Sequence, residues 1–153
     1  ITLYRLYAGD TCILSASCVI SQITFETQIS AEADTELLVV GAGIIEETAK
    51  HNIYVRSFLY ELATERFSEV MWTMQQILFM GFDKRLAVFL YDEYARTSSL
   101  EIKMTHEQIA RNMGSAREVV SRMLRRFSEE GLVEFQRGKI LIKDREKLLK
   151  LIG

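Results

Sequence analysis

The stretch "THEQIARNMGSAREVVSRMLRRFSEEGL", residues 105 to 132, limits the folds available to this chain more than any other. Thr105 and Gln108 have the spacing of a capping box, in which each side chain satisfies the other residue's backbone N–H at a helix start. Ile109, Ala110 and Met113 then fall on one face, and Gly114 is placed to end the helix in the left-handed conformation. Ser115 and Glu118 repeat the capping spacing, so a second helix is expected to open at once through "AREVVSRMLRRF". Two helices joined by one tight turn must approach closely. Ala110 and Gly114 are small where they meet, and Val120 supplies the wedge between them. That spacing is the helix-turn-helix pattern.

At about 100° per residue, Ala116, Val119, Val120, Met123, Leu124 and Phe127 gather on one side of the second helix. Arg117, Glu118, Ser121, Arg122 and Arg125 gather on the other. Arg can donate two hydrogen bonds to guanine O6 and N7, and Glu can accept one from cytosine N4. A helix start lying in a major groove would bring these groups to base edges, with Ser115 beside them. A helix-starting Glu paired four residues on with Arg122 is the structural alternative for Glu118, and a solvated face is the alternative for Arg125 and Arg126.

Beyond Gly131, "LVEFQRGKILI" predicts a β-hairpin with strands Leu132–Phe135 and Ile140–Ile142 around a turn at Arg137 and Gly138. Helix, turn, helix and hairpin together predict a winged helix. Arg137 and Lys139 would meet phosphate, which positions a protein on DNA without specifying sequence. "DREKLLKLI" predicts a last short helix.

Charge divides the chain in the same place. Residues 1 to 100 hold 7 Lys and Arg against 13 Asp and Glu, while residues 101 to 153 hold 12 against 8. A basic C-terminal third on an acidic body suits a polyanion at one end only.

Upstream, residues 1 to 40 read as β-rich. "ITLYRLY", "TCIL", "QITFETQIS" and "TELLVV" are expected strands, with a turn at Gly9 and Asp10 and a stop at Gly41 and Gly43. The first residues are already in strand-like alternation, so the chain reads as entering a domain partway through, with an N-terminal segment expected before it. From Ile44 the period becomes helical, and the absence of proline leaves residues 52 to 80 free to form one long helix. Tyr60, Ala63, Phe67, Val70, Met74 and Ile77 follow a 3,4,3,4,3 spacing along one seam, and Phe58, Leu59, Leu62, Met71 and Leu78 form a second apolar stripe. Two apolar faces on one helix suggest that one packs on the β part and the other on the same helix of a second subunit; a core helix in a monomer is the competing reading. Asp83 is expected to cap "KRLAVFLYDEYAR".

Other chemistries find little support. Cys12 and Cys18, with no second pair, point to a reduced cytoplasmic setting and read as small buried residues of the β part. Two thiolates do not complete a metal site, so no metal is expected. His51 and His106 lack a nucleophile with an orienting acid, so no catalytic residue and no enzyme is expected. The sequence carries no apolar run of about 18 residues, so no membrane partner is expected.

The order of strands, long helix, "FDKRLAVFL", "MTHEQIARNMGSAREVVSRMLRRFSEEGLV" and wing resembles the cyclic-AMP receptor and fumarate-nitrate regulator family of bacterial transcription factors. The resemblance covers the whole chain and is most specific from Thr105 to Ile142. That family's recognition helix carries Glu-x-x-Ser-Arg or Arg-Glu-x-x-x-Arg, and Arg117, Glu118, Ser121 and Arg122 satisfy both patterns. The resemblance implies that Glu118, Ser121 and Arg122 read a TTGAT-like or TGTGA-like half-site, with Arg117 adding a contact. Cyclic-nucleotide binders of the family present Gly-Glu-x-x-Leu and, some ten residues on, an Arg-Ser or Arg-Thr pair for the phosphate. Here "CILSASCVISQITFETQIS" has no Gly-Glu and no Arg, and Val70 and Met71 stand where the cyclic-AMP type has hydroxyl side chains. A buried phosphate without a cation is strongly disfavoured, so the effector is expected not to be cyclic AMP. Iron-sulfur members hold their cluster mainly through N-terminal cysteines, outside this sequence.

The expectation is therefore an α+β chain: a partial β-roll sensor domain at 1–51, a long dimerisation helix at 52–81 and a winged helix-turn-helix domain at 82–153. It would act as a cytoplasmic homodimer on a palindromic operator in double-stranded DNA, under an unidentified small-molecule or redox effector. Activation would further require a surface for RNA polymerase, which spacing does not locate. The competing expectations are a winged helix that binds protein alone and a constitutive DNA binder with a vestigial sensor half.

Overall fold

A computed structural model describes residues 1–12 and 28–153. Six helices and three strands are formed among them: α1 Ala42–His51, α2 Ile53–Phe79, α3 Phe82–Thr97, β1 Glu101–Ile102, α4 His106–Met113, α5 Arg117–Glu129, β2 Val133–Gln136, β3 Lys139–Ile142 and α6 Arg145–Ile152. The described residues divide into two compact units, Tyr4–Val70 and Ile1–Leu3 with Met71–Gly153. None of these helices is long and apolar enough to cross a membrane.

In the C-terminal unit the hydrophobic pattern is realised closely. Leu86 and Leu90 of α3, Ile109 of α4, Val120, Leu124 and Phe127 of α5, Ile140 of β3 and Leu148 of α6 are all fully buried in one core. Removing each such side chain from water contributes about 1.5–3 kcal/mol, which explains why helices of eight residues persist here though isolated ones would not. β3 is the middle strand of an antiparallel sheet, pairing Ile102↔Ile140 with β1 and Phe135↔Ile140 with β2. The hairpin closes Gln136↔Lys139 across Arg137 and Gly138, with Gly138 at φ 76°. The hairpin was expected from the sequence, and its strands start and stop within one residue of the expectation.

Two expectations need correction. Residues 1–12 and 28–41 form no strand, so "ITLYRLY" and "TELLVV" are not strands of a β-roll here. Alternation makes a strand only where another backbone edge supplies ladder bonds, and among the described residues neither segment has one. Leu37, Leu38 and Val39 are left exposed, Leu38 at 99%. Residues 13–27, which hold Cys18, the second half of "TCIL" and all but the last three residues of "QITFETQIS", fall outside the described residues.

The long helix forms over Ile53–Phe79, within a residue of the expectation at each end. Asn52 breaks α1 from α2 and accepts hydrogen bonds on Oδ1 from the N–H groups of Tyr54 (2.9 Å) and Val55 (3.3 Å), capping α2. Finally, Gly81 and not Asp83 is the N-cap of α3; Asp83 lies in the first turn and accepts from its neighbour, the Lys84 N–H. There its charge still favours the helix start.

Candidate nucleic-acid interface

Thr105 opens α4 with the expected capping box. Its Oγ1 accepts from the Gln108 N–H at 3.2 Å, and Gln108 Oε1 accepts from the Thr105 N–H at 2.8 Å. Gly114 closes α4 at φ 59°, ψ 45°, and the Ser115 N–H reaches back to the Ala110 carbonyl at 2.9 Å. This six-residue closure uses Ser115 to finish the first helix. The second capping box is therefore not formed. Ala116, extended at φ −79° and ψ 144°, is the N-cap of α5, and no side chain caps it.

The two helices meet as the small residues require. Ala110 is 3% exposed and Val120 fully buried between them, with Leu124 and Phe127 continuing the inner face of α5. Arg85 fastens this pair to α3 by donating from a guanidinium nitrogen to the Met113 carbonyl at 2.6 Å, in a setting where burial lowers its pKa. Sequence reasoning did not find Arg85, because which carbonyl it would serve depends on tertiary packing. The segment Ile1–Leu3 lies on the same turn. Thr2 donates its N–H to the Asn112 carbonyl (3.2 Å) and its hydroxyl to Asn112 Oδ1 (3.0 Å), and a methyl group on Gly114 would come within 2.8 Å of Ile1 Cβ.

The outer face of α5 presents Arg117, Glu118, Arg122 and Arg125, all exposed. Among the described residues none of the four makes a salt bridge or side-chain hydrogen bond, so the Glu118–Arg122 pair that would account for both without a ligand is not made. Arg126, one position further round, is engaged: its Nε donates to Glu130 at 2.7 Å. Ser115 stands half-buried at the turn.

Ser121 differs from the rest of the set. It is half-buried, and its Oγ lies 2.8 Å from Nδ1 of His106, the first residue of α4. The His106 ring meets Phe135 of β2 edge-on, with centroids 5.5 Å apart. Burial, and then the Arg117 guanidinium, lower the His106 pKa. Nothing in the sequence spacing pointed to this link, since it joins residues 15 apart across two helices.

At the hairpin, Arg137 is exposed on the turn. Lys139 instead lies 3.2 Å and 3.3 Å from the two carboxylate oxygens of Glu101 on β1, an exposed pair that a phosphate could compete for.

In the Tyr4–Val70 unit, Arg66 is buried and ion-paired with Glu69 at 2.7 Å, its guanidinium 5.2 Å from the Tyr4 ring centre. Burial and contact with Cys12 push the Tyr4 pKa up to about 12. Arg5, Asp10, Phe58, Leu62, Glu65 and Arg66 are among the residues lining a cavity of about 280 Å³. Along α2 the seam stands largely bare: Tyr60 is 69% exposed, Phe67 67%, Met74 44% and Ile77 40%, with Ala63 and Val70 partly covered.

Residues 84–151 match the Crp-like helix-turn-helix domain. A structure assigned as a transcriptional regulator of the Crp/Fnr family from Eubacterium rectale superposes with a TM-score of 0.89 at 47% identity, over 99% of this chain and 70% of that one. FixK2 from Bradyrhizobium japonicum shares the fold at a TM-score of 0.64 and 21% identity, over 74% of this chain and 60% of its own. A CooA variant from Carboxydothermus hydrogenoformans does so at 0.58 and 21%, over 72% and 53%. No curated protein matches in sequence.

Proposed function

Since the chain belongs to the Crp/Fnr family of transcriptional regulators, we propose that it reads operator DNA through α5, with residues 82–153 as a winged helix-turn-helix module. The observation that carries this is the outer face of α5: Arg117, Glu118, Arg122 and Arg125 stand exposed, with no ion pair or side-chain hydrogen bond among the described residues, on a helix whose other side is locked into the core. Arg122 and Glu118 suit guanine and cytosine edges in the major groove. Arg117 and Ser115 flank them at the helix start, where free backbone N–H groups favour a phosphate. Arg125, Arg137 and Lys139 suit phosphates on either side and contribute affinity without sequence.

Two copies would act together. The bare seam of Tyr60, Phe67, Met74 and Ile77, with Ala63 and Val70 between, suits the same seam of a second subunit, which would place two copies of α5 about 34 Å apart, one helical turn of DNA. Residues 52–81 would then be the dimerisation helix and residues 1–51 part of the sensor. An effector there would act by binding one arrangement of the two reading helices better than the other. The cavity beside Arg66 is a candidate seat, and its mixed lining of Arg5 and Arg66 against Asp10, Glu65 and Glu69 does not favour a simple anion such as a cyclic nucleotide. RNA polymerase would be a further partner of an activating complex.

Enrichment from a random duplex pool tests the reading. The expected outcome is a two-fold palindrome bound with strong salt dependence. Salt-insensitive binding with no sequence enriched would instead favour a protein-binding module.

A further inference from the structure

The family resemblance places Ser121 with Glu118 and Arg122 among the base-reading residues of α5, yet its hydroxyl is already engaged by His106 at 2.8 Å. A serine hydroxyl has one hydrogen to donate and two lone pairs to accept with, and neutral imidazole has one nitrogen of each kind. The partner therefore decides what the serine has left for a base. His106 is well placed to decide it: it begins α4 directly after the capped Thr105, and its ring is braced on Phe135 of β2, so the imidazole is held by three elements of the fold. The positive Arg117 nearby opposes a second positive charge on the ring. The Nε2–H form, the more stable tautomer of a free histidine side chain, leaves Nδ1 as an acceptor toward Ser121.

We infer, resting on the base-reading proposal for α5, that His106 is a positioning residue which takes the Ser121 hydrogen and so turns Ser121 toward DNA as an acceptor only. Ser121 then selects a base that presents an exocyclic amino group in the major groove, adenine N6 or cytosine N4, over one that presents a carbonyl oxygen. Loss of the imidazole acceptor frees the hydroxyl to donate as well, and the discrimination falls. His106 thus sets specificity at one base position without touching a base.

The test measures affinity for duplexes carrying all four bases at each half-site position, in wild type, Ser121→Ala, His106→Phe, His106→Asn and the Ser121→Ala/His106→Phe double variant. His106→Phe keeps a ring against Phe135 and removes Nδ1, while His106→Asn returns an acceptor to the same region. At one position per half-site, wild type is expected to prefer adenine or cytosine by roughly three- to tenfold, the worth of one hydrogen bond. Ser121→Ala and His106→Phe each lose that preference at that position alone, His106→Asn regains it, and the double variant matches Ser121→Ala. The inference is overturned if His106→Phe keeps the preference that Ser121→Ala loses, if it weakens every duplex alike, or if Ser121→Ala changes no position. A wild-type protein that prefers no duplex at all would strike the base-reading proposal itself and is recognisable before any variant is compared.

Discussion

At Gly114, directly after α4, the backbone turns left-handed at φ 59°. Gly114→Ala would place a methyl group 2.8 Å from the Ile1 side chain and force an L-residue into a conformation costing about 1–2 kcal/mol. A loss of that size in urea denaturation is expected; unchanged stability would contradict the turn. His106 gives a second prediction. Burial and then Arg117 hold its folded pKa below the ordinary 6.5, so the fold favours the neutral ring. Its contribution to stability is complete above about pH 6.5 and is lost as the pH falls through the lowered folded value. Melting temperatures from pH 8 to 5 should therefore fall more steeply for wild type than for His106→Phe; parallel curves would refute the contribution.

The α2 seam carries its prediction at the scale of the element. Phe67, 67% exposed in one chain, would be buried between two, and Phe67→Asp would set a charge against its own copy there. Sedimentation equilibrium is expected to show a dimer for wild type and a monomer for the variant, with helical content kept; a variant that stays dimeric would remove the seam from the interface. What could be read from sequence divides by range of interaction. α4, the Gly114 turn, the inner face of α5 and the β2–β3 hairpin were legible because residues within about six positions decide them. The second capping box was not, because Ser115 gives its N–H to Ala110 and the helix start moves to Ala116. The strands expected in residues 1–12 and 28–41 failed because strand pairing depends on distant edges that alternation does not identify. The outward set on α5 was legible from the helical period, whereas Ser121's tie to His106, Lys139's to Glu101 and Arg85's to Met113 are tertiary and leave no trace in spacing.

For the whole molecule, the uneven charge becomes a statement about binding. The basic balance of residues 101–153 would supply sequence-independent attraction to phosphate, while residues 1–100 carry an acidic excess. Affinity and specificity should then separate by residue, and the most direct measurement is fluorescence anisotropy on the enriched palindrome and a scrambled duplex, across salt concentrations, for wild type, Arg122→Ala and Arg137→Ala. The expected result is that Arg122→Ala loses about 1–3 kcal/mol on the palindrome with little change on the scrambled duplex. Arg137→Ala should weaken both alike and reduce the salt slope by about one. Equal losses on the two duplexes for Arg122→Ala would contradict the assignment of α5 as the reading helix.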